Sequence, residues 1–150
     1  MSKLNWFKGN LHTHTTKSDG DAPPEHVASW YHEHSYDFLV LTDHNHLTVL
    51  DDAAGNPGKW PLLIPGEEVT VRLWDNTVPV HINGIGIDRL VEPIHADSVA
   101  ATLQANVDAI RTAGGLASIN HPNYKWALDS NDLASVEGAW AMEVYNGHPF

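Results

Sequence analysis

Cysteine is absent from this chain of 150 residues. Disulfides and thiolate metal sites are therefore excluded, and any metal must rest on nitrogen and oxygen donors, which suit zinc, manganese or iron. Basic residues are scarce: 8 lysines and arginines stand against 19 acids, a formal net charge of −11 with histidine neutral. Such a surface repels a phosphate backbone, and no segment concentrates lysine and arginine, so no nucleic-acid partner is expected. No apolar run approaches the ~18–20 residues that cross a bilayer, so no membrane partner is expected either. The opening Met1-Ser2-Lys3-Leu4-Asn5-Trp6 lacks the charged-then-apolar order of a secretory leader, which points to the cytoplasm. In excess is histidine, eleven in all.

The histidines have a pattern. In Asn10-Leu11-His12-Thr13-His14-Thr15, His12 and His14 are two apart at the end of an apolar run. Residues i and i+2 of a strand share a face, so both imidazoles aim at one point, as two ligands of one cation must. Asp19 follows closely and can add a hard oxygen donor. The same placement recurs. Phe38 to Thr42 reads as a buried strand ending in Asp43-His44, Leu62-Leu63-Ile64 as one running into Glu67-Glu68, Leu116 to Ile119 as one ending in Asn120-His121, and Trp140 to Tyr145 as one carrying Glu143. Val69 to Trp74 and Val78 to Ile87 read as strands around the turn Asp75-Asn76-Thr77.

Helices are expected from Pro24, with Glu25 in its first turn, to about His34, and from Asp97 or Ser98 as cap to Ala113, with Gly114 as stop. Asp51 to Trp60 reads as loop around Gly55-Asn56-Pro57-Gly58. Strands alternating with helices imply a parallel barrel whose carboxyl-end face gathers the polar strand ends. The length fits one domain over residues 1–150. His26, His32 and His34 fall on the first helix as solvated residues, and His46 and His95 in loops without an assigned role. Tyr124 and Lys125 read as exposed loop, with a substrate-phosphate contact as the alternative. The six tryptophans read as core and helix-packing residues, without the basic interleaving that marks base stacking.

These segments, with Ser18-Asp19-Gly20, Leu41-Thr42-Asp43-His44-Asn45, Pro65-Gly66-Glu67-Glu68, His81-Ile82-Asn83-Gly84-Ile85-Gly86, Asn120-His121-Pro122 and Glu143-Val144-Tyr145-Asn146-Gly147, resemble in order the motifs of the polymerase-and-histidinol-phosphatase (PHP) superfamily. The wording is similar to its carbaryl-hydrolase-like branch. The resemblance implies an α/β fold, a distorted seven-stranded (βα) barrel holding two or three divalent ions (Zn, Mn or Fe). It implies that His12 and His14 hold the first ion, that Glu68 bridges it to a second held by His81 and His121, and that Asp19 and His44 serve a third. Glu67 competes for the bridging role, but strand alternation turns it away from Glu68. The family's closing Asp-x-His motif has no counterpart here, and His148 is no substitute. The expectation is therefore a barrel incomplete at its C-terminal end, as in a piece of a longer protein.

Asp43 and Glu143 are the catalytic candidates. Asp43 would orient an imidazole or cap the next turn; Glu143 would stand behind a ligand, touch substrate, or be an internal hydrogen-bonded acid. The leading expectation is a metal-dependent phosphoesterase in which metal-bound hydroxide attacks a small phosphorylated substrate, with zinc–nitrogen contacts near ~2.0–2.1 Å if the ion is zinc. The alternatives are a carbamate or ester hydrolase, and an inert metal-binding module.

Overall fold

A computed structural model describes residues 4–50 and 58–146. The element order is β1 (Gly9–Asn10), α1 (Pro24–Glu33), β2 (Phe38–Val40), β3 (Leu62–Ile64), β4 (Gly66–Leu73), β5 (Val78–Ile85), α2 (Val99–Thr112), β6 (Leu116–Ile119), α3 (Ser130–Ala134) and β7 (Ala141–Met142). A 3-10 turn at Tyr124–Trp126 lies between β6 and α3. Residues 51–57 of the expected loop from Asp51 to Trp60, and His148, lie outside the described residues.

The architecture is mixed α/β, and it corrects the all-parallel expectation. β1-β2-β3 form a parallel sheet, whereas in the second sheet, ordered β4-β5-β6-β7, only β6 and β7 run parallel. The turn after Leu73 is too short for a crossover, so β4 and β5 must be antiparallel. No closed barrel forms among the described residues. The sheets meet where the chain just past β2 pairs with β4: Glu68 N donates to Asp43 O at 3.2 Å, and Asn45 N to Glu68 O at 3.0 Å. That junction brings His44 alongside Glu68.

Alternation along β4 and β5 divides the second sheet into two faces. Val69, Val71 and Leu73 of β4, with Val80 and Ile82 of β5, are buried against Leu103, Val107 and Ile110 of α2. Glu68 and Thr70 of β4, and His81 and Asn83 of β5, take the opposite face, and the register pairs Glu68 with Asn83 and Thr70 with His81. The helix supplying the apolar layer starts at Ser98, whose Oγ accepts from Ala101 N at 3.2 Å, and ends before Gly114 in a left-handed turn (φ +78°). A smaller cluster of Ala28, Leu39 and Leu41 seats α1 on the first sheet.

The tryptophan expectation is also corrected. Trp6, Trp30, Trp74, Trp126 and Trp140 are exposed, and Trp60 alone packs against a core cluster, that of Ala28, Leu39 and Leu41.

Candidate metal centre

Glu68 is the centre of the site. It is fully buried on the polar face of β4, and five imidazoles surround its carboxylate. His14 Nε2 and His44 Nδ1 lie 3.1 Å from Oε2 and His12 Nε2 3.5 Å; His81 Nδ1 and His121 Nε2 lie 3.2 and 3.3 Å from Oε1. Asp19 joins from the rim, 3.1 Å from His14 Nδ1 and 3.4 Å from His44 Nε2. His12, His14, Asp19, His44, Glu68, His81, His121 and Glu143 all line one cavity of about 600 Å³.

The positions have two origins. His12, His14, His44 and His121 follow the ends of β1, β2 and β6, as the strand-end pattern implied. Glu68 and His81 do not: they lie inside the antiparallel pair β4–β5 and reach the cavity because alternation points them there. Glu67, the competitor, faces the other way and accepts from Val91 N at 2.6 Å. The third grouping is broader than expected, since His14 joins Asp19 and His44.

Asp43 does not reach the cavity. It is buried, and its carboxylate accepts from Thr15 N at 2.7 Å, Thr15 Oγ1 at 2.8 Å, Ser18 Oγ at 2.9 Å and Thr48 Oγ1 at 2.5 Å. These bonds hold it below its ordinary value despite burial. It clamps the His14–Asp19 loop and contacts no imidazole, the turn-capping alternative rather than the imidazole-orienting one. Glu143 does line the cavity. Its Oε1 is 3.1 Å from His12 Nδ1, and its Oε2 accepts from His121 N at 3.0 Å, so one carboxylate sets a ring and a backbone.

Sequence reasoning missed the supports around Glu68. Asn120 Nδ2 donates to Glu68 Oε1 at 2.7 Å and to Asn83 Oδ1 at 2.8 Å, while Asn83 Nδ2 donates to Leu11 O at 3.0 Å. Both asparagines stood inside quoted motifs, but nothing in their spacing announced this role. Thr70 Oγ1 donates to Glu68 O at 3.3 Å and lies 2.6 Å from His44 Nδ1. With its one proton given to the carbonyl, the hydroxyl accepts from Nδ1–H, which leaves His44 Nε2 bare toward Asp19.

Electrostatics show what the cluster lacks. Burial pushes Glu68 up, but the facing imidazoles of His12, His121, His14 and His81 outweigh it and hold the carboxyl well below its ordinary range. Burial pushes His12 down, and Glu143 and Glu68 outweigh it, raising the imidazole to about 9. His44 is lowered by burial, with the neighbouring His14 and His81 adding to that effect.

The donor set fits divalent ions. Two ligands each ~2.0–2.1 Å from one tetrahedral ion stand about 3.3 Å apart. Here His12 Nε2 and His14 Nε2 are 3.1 Å apart, and His81 Nδ1 and His121 Nε2 are 3.4 Å apart. Glu68 Oε2 is buried with no hydrogen-bond partner despite the close nitrogens, as is His81 Nε2. Lone pairs that converge at this spacing without hydrogen-bond direction suit a shared cation.

The fold defines a class. It is shared with two solved structures: a two-domain protein from Bacteroides vulgatus containing a predicted PHP-like metal-dependent phosphoesterase (TM-score 0.62, 20% identity, 96% of this chain and 46% of that one), and an amidohydrolase from Chromobacterium violaceum with bound sulfate and no metal (TM-score 0.64, 21% identity, 90% and 76%). In sequence the chain is similar to the 5'-3' exoribonuclease Rnm of Salmonella typhimurium, 34% identical over 143 residues. That match takes in 92% of this chain and 43% of Rnm, so the chain spans less than half the length of that relative. No family model matches the chain. These likenesses carry the PHP-type fold and do not extend to a carbaryl-hydrolase-like branch. No described helix is long and apolar enough to cross a membrane.

Proposed function

We propose that the chain is the metal-binding part of a divalent-metal-dependent phosphoester hydrolase. The observation that carries this reading is the single buried carboxylate, Glu68, with five imidazole nitrogens within 3.5 Å of it. His12, His14 and Glu68 would hold one ion, Glu68, His81 and His121 a second, and Asp19 and His44, with His14 beside them, a third. Zinc, manganese and iron all suit these donors. When bound, such ions supply Lewis acidity toward a phosphoryl oxygen, a nucleophile at neutral pH and charge to steady the leaving oxygen.

The chain's own residues prepare the site. Glu143 faces His12 Nδ1 and, once the ring is neutral, would hold its proton there and leave the Nε2 lone pair for a cation beside Glu68. Thr70 does the same for His44, and Asn120 fixes one oxygen of Glu68. No serine, cysteine or lysine is among the described residues that line the cavity. The expected small phosphorylated substrate and the 5'-3' exoribonuclease activity named for Rnm agree on the bond broken and differ in what the phosphate is attached to.

The amidohydrolase among the structural neighbours favours a second reading, attack on a carbonyl carbon of a carbamate or ester. A panel of aryl phosphates and aryl carbamates, assayed with the manganese- or zinc-loaded protein, separates the two. Phosphate release that disappears in His12→Ala is the expected result. A metal-loaded protein that cleaves carbamates and no phosphoester would overturn the leading reading, and one that binds no metal would leave the inert module.

A further inference from the structure

We propose that Asn45 is a positioning residue for the third ion. Acting through Thr70, its side-chain amide fixes the tautomer of His44 and so assigns that ring to the position beside Asp19. The inference rests on the metal-centre reading above and adds how the chain allots one ligand between two positions.

His44 stands between two groupings of donors. Its Nε2 lies 3.4 Å from Asp19 Oδ2, and His14, Asp19 and His44 form one grouping. Its Nδ1 lies 3.1 Å from Glu68 Oε2, and His44, Glu68 and His81 form another. A neutral imidazole has one bare nitrogen and one that carries hydrogen, so the ring serves one grouping at a time. The choice is set by the hydrogen bond that the other nitrogen makes. Here that bond is to Thr70, whose Oγ1 is 2.6 Å from Nδ1. Because the hydroxyl gives its proton to Glu68 O at 3.3 Å, it meets Nδ1 as an acceptor and keeps hydrogen there.

Asn45 holds Thr70 in that place. Its Oδ1 accepts from Thr70 N at 2.7 Å, and its Nδ2 donates to Thr70 O at 3.0 Å. One amide thus occupies both backbone groups of Thr70, as a paired strand would, on the edge of β4 opposite β5. Asn45 N also donates to Glu68 O at 3.0 Å, so the segment that carries the His44 ring is tied to β4 at two residues. The backbone of Asn45 is left-handed (φ 48°), a conformation costly for most side chains and one that asparagine tolerates better than others. The residue is exposed and belongs to neither apolar cluster, so its contribution is made through the amide. Without that amide Thr70 is free to turn from Nδ1, and the nitrogen facing Glu68 Oε2 becomes the competing ligand.

The test reads the His44 ring directly. Ring-nitrogen chemical shifts of the isotope-labelled chain in mildly alkaline buffer report which nitrogen carries hydrogen, with the His44 signals identified by their absence in His44→Asn. Hydrogen should sit on Nδ1 in the metal-free wild type, and Nε2 should be the ligating atom in the zinc-loaded protein. Asn45→Gly keeps the left-handed backbone and removes the amide, and Thr70→Val keeps the branched shape and removes the hydroxyl. Both should move hydrogen toward Nε2. Both should also weaken the third zinc by about ten- to a hundred-fold in calorimetric titration, with the other two unaffected. Thr70→Ser should restore the wild-type ring. Hydrogen on Nε2 in the wild type, a tautomer indifferent to both variants, or a wild type that takes up only two zinc ions would overturn the inference and leave the metal-centre reading standing. A chain that binds no zinc defeats that reading, and this inference with it.

Discussion

His12 has a different partner at each ring nitrogen: Glu143 faces Nδ1, and Glu68 with His14 faces Nε2. In the metal-free protein this imidazole, raised to about 9, carries a proton at neutral pH and must lose it before Nε2 can ligate. Apparent metal affinity should therefore climb as pH rises from 6 toward 9, with protons released on binding. Glu143→Gln removes one of the two carboxylates responsible, so the pH dependence should become shallower. The same change unseats the ring, and affinity at high pH should fall about ten- to a hundred-fold. Calorimetry in buffers of differing ionisation enthalpy measures both effects. Proton uptake on binding, or an unchanged slope in the variant, would contradict this account of His12.

Glu67 poses the reverse problem on the opposite face of the same strand. Burial pushes its carboxyl up to about 7, against the Val91 N–H, which favours the ion, while Glu92 adds repulsion. Its folded pKa lies above the ordinary carboxylate value, so the fold binds this proton more tightly than the unfolded chain does. Stability from this residue is fully present below about 4.5 and is lost as pH rises toward 7. Glu67→Gln should remove that loss. Urea midpoints of metal-free protein should favour the variant increasingly between pH 5 and 8, by up to about 3 kcal/mol. A constant difference across that range would contradict the assignment.

At the level of elements, the β2–β4 junction depends on Gly66. A Cβ there would stand 2.4 Å from Val40 Cγ1 and 2.8 Å from Gly84 O, so backbone on one side and a packed valine on the other leave no room. Gly66→Ala should cost about 1–3 kcal/mol by equilibrium unfolding and displace Glu68 two residues on. Normal stability in this variant would show that the junction yields. Element identity was largely legible: α1, α2, β2, β3 and β6 lie where periodicity and caps placed them. Direction was not, because buried strands carry the same aliphatic residues whether parallel or antiparallel. The short turn after Leu73 was the one local signal for an antiparallel pair. The 30 or so residues from β5 to β6, helix included, are compatible with either sense. His81 was harder to place than His12 for the same reason, since it sits mid-strand with no strand end to mark it.

Across the whole molecule, the two sheets meet at one buried carboxylate. Apolar faces turn toward α1 and α2, and polar residues turn toward the shared cavity. The histidines were legible as candidates because their spacing recurred at the ends of apolar runs. The asparagine and threonine supports were not, since one hydrogen bond leaves no periodic trace. Asp43 misled for a related reason: adjacency to His44 in sequence put it on the reverse side of the chain, where it serves a loop.

The central claim is that Glu68 organises cations held by the surrounding imidazoles, and counting those ions tests it most directly. Metal-free protein, reloaded with excess zinc or manganese and freed of unbound ion, should retain two or three ions per chain by elemental analysis, whereas Glu68→Ala, still folded by circular dichroism, should lose at least two of them. Wild-type protein that retains none, or a variant that retains the full complement, would contradict the account.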